Sequence, residues 1–450
     1  MITTDEFLAN ARSSAHDNGM PLMRAIGLPA KTYYRARGNV KEVRPVVAAA
    51  LSEITNALTS PLTSDEANPE PKPNQVVEAK IKVTGVDYAD AAERLNQLFL
   101  RSHWADGLPI LPPTEKAVAS MLQGTSRSPR EVIGLVAPKN GQATIEKIAI
   151  NSVMAGAKPE YLPVIIAAME GFTDRDYDLT HVQASSGSFI PAVIVSGPIA
   201  KELDFNSGMG LLGHGWRANS TVGRALRLCL LNLGQTWPAV NDMALIGRLS
   251  AYTFFTFAEN AAASPWEPYH VSEGFKPDDS TVTVSTVVGG VTSLGGGAVA
   301  PWTAQEILNN VVSQISGIGT YLGGVYAANR IVVFHPDCAA ELAKMGYSRK
   351  SLQEYLYEQS RVPYSRLSPN TIKEIKRMIA DGQIRPERVP VFQEALKEGG
   401  RVPSLQGPED IHVLVAGGSP GYSFLLGYSG PNWAHQTRKI QGATLTKSGR

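Results

Sequence analysis

TIEKIAINSVMAGAKPEYLPVIIAAMEG (Thr144 to Gly171), followed by AVIVS (Ala192 to Ser196), sets two helices and a buried strand in one short run of chain. Ile145, Ile148, Ala149 and Val153 recur with a helical period, and Gly156 stops that helix. Pro159 opens the next helix at its first turn, where a missing N–H costs nothing, and Gly171 ends it. Further along, Thr281 to Val288 (TVTVSTVV) is a β-branched strand. From about Asn329 the order is strand (Ile331 to Phe334), helix (Ser351 to Gln359), basic helix (Ile372 to Ile379) and strand (Ile411 to Ala416), closed by a Gly-rich loop. The expected class is mixed α/β; no repeat of fixed period is visible, and strand order is not legible.

The first 63 residues read as helix (Phe7 to Ala15), one strand (Leu22 to Leu28) and helix (Val40 to Leu58). A single strand leaves its ladder groups open, so a sheet from elsewhere is expected to receive it. Ser60 to Gln75 carries four prolines and reads as an extended linker. The expected organisation is a partial small α/β domain or docking segment over 1–63, linker and lead-in strand over 64–90, a main body with the active site over 91–328, and a C-terminal α/β lobe over 329–450. Tyr88 to Arg101 is read as an amphipathic helix.

Of 450 residues, 42 are Lys or Arg and 41 are Asp or Glu, a net charge of +1. That balance gives no electrostatic footprint for nucleic acid, and no run reaches the ~18 apolar residues of a membrane span. Charged residues are 18% of the chain, below the typical ~25%, which points to surface covered by other subunits. The N-terminus lacks the basic and apolar regions of a secretory signal, so a cytoplasmic, oligomeric protein is expected.

NSGMGLLGHGWRANSTVGR (Asn206 to Arg224) is the strongest chemical constellation. Its glycines lead to Asn219 and Ser220, read as the N-cap of a helix with Val222, Leu226, Cys229, Leu230 and Leu233 inward. A glycine loop at a helix N-terminus suits an anion, with Arg217 and Arg224 as bidentate partners. Gly208, Gly210, Gly213, His214, Arg217, Asn219 and Arg224 are therefore candidate substrate-binding residues; a tight packing turn is the alternative. In FAENAAASPWEPYHV (Phe257 to Val271), Glu259 ends an apolar stretch where burial would raise its pKa, and two prolines fix Trp266, Glu267 and His270. Glu259 and His270 are candidate acid–base groups, with Asn260 and Trp266 beside the substrate; a structured loop plugged by tryptophan is the alternative. Glu146, Lys147 and His181 complete the candidate catalytic set, although an exposed helix face explains the first two equally well.

No HxxxH, HxH or HExxH occurs among the eight histidines, so the sequence names neither a metal nor a cofactor. A metal site from His181, His214, Glu259 and His270 would require tertiary folding. Both cysteines are read as structural, Cys229 on a buried helical stripe and Cys338 at a helix start.

DGLPILPPT (Asp106 to Thr114), ATIEKIAINSVMAGAKPEYLPV (Ala143 to Val164), GHGWRANSTVGRALRLCLLNLG (Gly213 to Gly234) and FAENAAASPWEPYHV together resemble the large C-terminal part of the UGSC-type (seleno)protein family, which is thiol–disulfide oxidoreductase-like. NGMPLMRAIGLP (Asn18 to Pro29) and ALTSPLT (Ala57 to Thr63) look like the tail of that family's small domain, implying a partial flavodoxin-like piece. Two positions depart from it. Ala157 stands where relatives would carry cysteine, and ASSGSF (Ala184 to Phe189) where a Thr-Thr-His-Pro type sequence is expected. The resemblance then implies that any redox thiol sits on a separate small Cys- or Sec-bearing subunit. The expected function is the large catalytic subunit of a bacterial heteromer acting on a small polar or anionic molecule. The alternatives are a lyase or hydrolase using Glu/His acid–base chemistry without a thiol, and a non-catalytic scaffold.

Overall fold

The computed structural model describes residues 1–17, 20–32, 40–68, 80–238, 240–244, 246–248, 250, 252–297, 302–317, 329–430 and 434–442. It divides into two compact units, Met1–Ala91 with Ala239–Asn241, and Ala92–Pro238 with Asp242–Arg450.

In the first unit, strand β1 (Ile2–Thr4) pairs in parallel with β2 (Ile26–Leu28), Ile2 opposite Ile26. This corrects the expectation of a lone strand over Leu22 to Leu28: the strand is shorter, and its partner comes from the first four residues. The helix Val40–Thr59 forms as its periodicity requires. Thr63 and Glu66 make a reciprocal capping box for a short helix, Ser64–Ala67, inside the expected linker. Arg24 clamps this segment, donating to both Glu66 oxygens at 2.6 Å and to the carbonyls of Ala57, Ser60 and Pro61. The Pro-rich remainder, 69–75, lies outside the described residues.

The second unit is mixed α/β. Its short hairpin β3 (Val132–Val136) and β4 (Gly141–Thr144) leads into the expected helix Ile145–Ala155, capped by Thr144 and ended by Gly156 at φ 81°. Leu162–Phe172 follows a turn at Pro159. The main sheet contains β5 (Phe189–Ser196), β6 (Phe255–Ala258), β7 (Thr281–Val288), β8 (Val291–Gly296) and β9 (Asn329–Phe334). A minor pair, β10 (Val362–Pro363) and β11 (Arg401–Val402), precedes the last three strands of that sheet, β12 (Ile411–Val415), β13 (Tyr422–Gly430) and β14 (His435–Lys439). Strands from 329–450 thus join those of the body in a single sheet.

The strand pairings repeat. β6 runs parallel to β5, β5 antiparallel to β7, and β7 antiparallel to β14. β12 likewise runs parallel to β9, β9 antiparallel to β13, and β13 antiparallel to β8. The registers superpose: Phe255, Ala192, Ser285 and His435 form one cross-strand row, and His412, Ile331, Leu426 and Val291 the matching row. The two halves are therefore related by a pseudo-twofold.

The outer edges of this sheet meet. The Asn260 amide just beyond β6 donates to the Val415 carbonyl of β12 at 2.8 Å, and the Asn206–Ser207 backbone bonds to both edges. The sheet is thus rolled around a core of Ile190, Ile194, Phe257, Ile331, Val333 and Leu414. Opposite faces pack under two helical layers. Val193, Val195, Val282 and Val284 meet the helices Ile145–Ala155, Leu162–Phe172 and Arg217–Gly234. Val332, Phe334, Val413 and Val415 meet Ala304–Ile315, Pro336–Lys344 and Arg349–Gln359. Strands covered on both faces read as continuous apolar runs, which is why they were visible in the sequence. Among the described residues, no helix is long and apolar enough to cross a membrane.

Candidate active site

Polar side chains converge where β9, β12 and β14 begin. His412 is the second residue of IHVLV, so strand alternation turns it inward with Leu414. His435 opens β14, and the two imidazoles stack with centroids 3.9 Å apart and planes 6° from parallel. Tyr269 brings its hydroxyl oxygen to 2.9 Å from His412 Nδ1 and 3.3 Å from His435 Nε2. Glu273 Oε2 lies 3.7 Å from His435 Nε2, and Asn329 Oδ1 lies 3.0 Å from His412 Nε2. His412 is buried, whereas the Glu273 side chain is 27% exposed and gives the cluster its opening to solvent.

Burial, reinforced by neighbouring His435, pushes the His412 imidazole down to about 3, so the ring is neutral near pH 7. Its Nε2–H donates to the Asn329 side-chain Oδ1, which leaves the Nδ1 lone pair to accept from the Tyr269 hydroxyl. Burial also raises the Tyr269 phenol well above its ordinary value and keeps it protonated. The Glu273 carboxyl is raised by burial but lowered more strongly, chiefly by its hydrogen bond to His435, to about 2. One ionised carboxylate, one neutral imidazole acceptor and one phenol donor therefore share a small volume.

Glu259 builds this site from behind. Both of its oxygens accept from the Tyr269 amide, at 2.9 and 2.8 Å, which fixes the start of the short helix Tyr269–Ser272 and aims the phenol. Its carboxyl is raised by burial, opposed by Arg349 at 3.5 Å and by that amide. Arg349 also donates to the Val413 and Glu267 carbonyls and lies 5.7 Å from the centre of the Tyr269 ring. His270 is buried beside Tyr269, with Nε2 3.3 Å from the Pro277 carbonyl oxygen. Asn260 stitches the sheet edges, and Trp266 donates its ring N–H to the Tyr347 carbonyl at 2.8 Å. The segment singled out in the sequence therefore reaches the histidine cluster through the Tyr269 hydroxyl, with Glu259 holding the Tyr269 amide.

The glycine loop lies elsewhere. The helix begins at Arg217 with Trp216 as its N-cap, which corrects the placement of the cap at Asn219 or Ser220. Asn219 accepts from the Asn206 amide and donates to the Asn206 and Thr256 carbonyls, so it is a stitch between backbone segments. Arg217 donates twice to the Gly156 carbonyl, at 3.1 and 2.9 Å. Arg224 forks onto Asp106 at 2.9 Å twice and adds bonds to the Leu108 and Pro109 carbonyls. Of the two guanidiniums expected to hold an anion, Arg224 is thus taken up by Asp106 and two carbonyls, while Arg217 bonds the Gly156 carbonyl at an exposed position. Gly208 and Gly210 shape the turn, with the Gly208 amide on Asn206 Oδ1 and the Gly213 amide on the Gly210 carbonyl, and His214 is exposed. The loop does line a cavity of about 230 Å³, with Leu211, Gly213, Asn219, Thr253, Phe255 and Val291 among its walls and no charged side chain among the described lining residues. Phe255 and Val291 are the pseudo-twofold counterparts of His412 and His435. Glu146 and Lys147 are exposed on their helix, Lys147 donating to the Gln142 carbonyl, and His181 is exposed against the edge of the Phe189 ring. None of these three belongs to the cluster.

Sequence reading passed over Tyr269, Glu273, Asn329, His412 and His435. The available signal was a histidine at an inward position of an otherwise apolar strand. Neither cysteine supplies a thiolate: burial raises the Cys229 thiol, and pushes that of Cys338 up to about 12. Compared with models of protein families, with curated proteins and with solved structures, the chain matches none.

Proposed function

We propose that this chain is an enzyme of the hydrolase or lyase type, acting on a small polar or anionic molecule by acid–base chemistry at Tyr269, Glu273, His412 and His435. One observation carries this reading. The fold fills the pseudo-twofold counterparts of His412 and His435 with Phe255 and Val291, so folding does not demand imidazoles there. A buried imidazole, a half-buried one and a buried phenol at that position cost desolvation, and such perturbed groups concentrate at functional sites. In this reading Glu273, ionised and open to solvent, accepts the proton from substrate or water. Tyr269 donates through its hydrogen-bonded hydroxyl, and Asn329 and Glu259 are positioning residues. The thiol-linked alternative would draw its thiol from another polypeptide, because both cysteines here are buried and protonated. The pairing of β1 with β2 gives the strand Ile26–Leu28 a partner within the chain along one of its edges.

The test is incubation of the purified full chain with a small-molecule extract, following consumption and product by mass spectrometry. The variant His412→Phe/His435→Val installs the residues that the other half of the barrel already uses. It should keep its circular dichroism and lose turnover by ~100-fold or more. A variant as active as the parent, or an activity abolished by alkylating a thiol, overturns the reading.

A further inference from the structure

We propose that Glu273, His412 and His435 bind one divalent transition-metal ion of the zinc, cobalt or nickel class, an inference that rests on the acid–base site above and names what occupies its centre. One ligand atom from each residue lies within 4.8 Å of the other two. The tautomer is already set for coordination. Asn329 Oδ1 accepts from His412 Nε2, 3.0 Å away, so His412 Nδ1 presents its lone pair toward the Tyr269 hydroxyl and His435. A hydrogen bond from the far ring nitrogen to an oxygen is the arrangement that orients metal-bound histidines.

The donor set selects the metal. Two imidazoles and one carboxylate suit first-row transition ions and not magnesium or calcium, which prefer all-oxygen shells. Three protein ligands leave a fourth position for water or substrate, as in catalytic zinc sites. At bond lengths of about 2.0–2.1 Å, tetrahedral donors stand roughly 3.4 Å apart, so separations of up to 4.8 Å close by at most about 1.4 Å on binding. Glu273 can supply that movement, being the most exposed of the three. Tyr269, within 3.3 Å of both histidine nitrogens, would face the open position.

The experiment is titration of the metal-stripped full chain with Co2+, read by its visible absorption, with Zn2+ then displacing it. One equivalent should bind with a four-coordinate spectrum. His412→Phe/His435→Val should weaken binding by more than ~100-fold, and Asn329→Ala by ~10–100-fold. Glu273→Gln, at a partly exposed position, tests the site without threatening the core. His181→Ala, outside the cluster, should leave binding unchanged. The proposal is overturned if no equivalent binds, or if the paired variant binds as the parent does. It is also overturned if the stripped chain turns over fully while the paired variant does not, a result that leaves the acid–base reading standing. Metal bound at these residues, with turnover indifferent to His412 and His435, supports the site and overturns the function instead.

Discussion

Replacing Arg224 by Met separates a structural guanidinium from a ligand-binding one. Arg224 makes two charge-assisted bonds to Asp106 and two more to the Leu108 and Pro109 carbonyls. The Asp106 side chain is only 3% exposed, so the substitution strands a carboxylate that keeps a 3.2 Å acceptance from the Leu108 amide. Removing one partner of a buried pair costs about 3–5 kcal/mol. Arg224 keeps 16% exposure, and water can enter, so the low end applies, about 3 kcal/mol. At about 2 °C per kcal/mol for a large domain, the melting temperature should fall by about 6 °C. Calorimetry and urea unfolding of the full chain measure this. The double variant Arg224→Met/Asp106→Leu should lose less than the sum of its single changes, because the stranded charge is gone. A shift below about 1 °C, accompanied by weakened binding of a small anion, would refute the structural role and restore Arg224 to a binding site.

Gly223 lies where the helix Arg217–Gly234 crosses the approach to β6, and a Cβ there would stand 1.7 Å from the Thr253 carbonyl oxygen. Gly223→Ala should therefore destabilise by about 1–3 kcal/mol despite alanine's better helix propensity, as read by urea unfolding; a stabilised variant contradicts the close approach. Burial lowers the His335 imidazole below its ordinary value, with Asp337 and Glu341 opposing. The folded state then binds fewer protons than the unfolded one below about pH 6.5, so stability falls as pH drops, by at most ~1.4 kcal/mol per pH unit. His335→Gln should flatten that slope between pH 7 and 5, and an unchanged slope rejects the assignment. With burial raising both thiols, native chain should resist iodoacetamide while the urea-unfolded chain takes up two equivalents; rapid native labelling would contradict this.

Local rules in the sequence determine which segments become helix or strand. Helices at Val40–Thr59, Tyr88–Arg101 and Ile145–Ala155, and the strand Thr281–Val288, fall where periodicity, caps and β-branching put them. The same reading marks Cys229 and Glu259 as buried. These features depend on near neighbours, and near neighbours are written in order along the chain. Strand pairing is different. β1 finds β2 more than twenty residues away, and β6 meets β12 across the rolled sheet, through contacts that no spacing rule encodes. The pseudo-twofold is a repeat of registers without a repeat of residues, since Phe255 answers to His412 and Val291 to His435. Arg217 and Arg224 beside a glycine loop look available in one dimension, yet in three each lies against carbonyl or carboxylate oxygens that the loop cannot reveal. Tyr269, Glu273, Asn329, His412 and His435 come from four separate segments, and only closure of the sheet brings their polar atoms together. Side-chain chemistry is fixed by residue type, but whether it is shared depends on tertiary packing, which here places a donor, an acceptor and a carboxylate at one end of an otherwise apolar barrel.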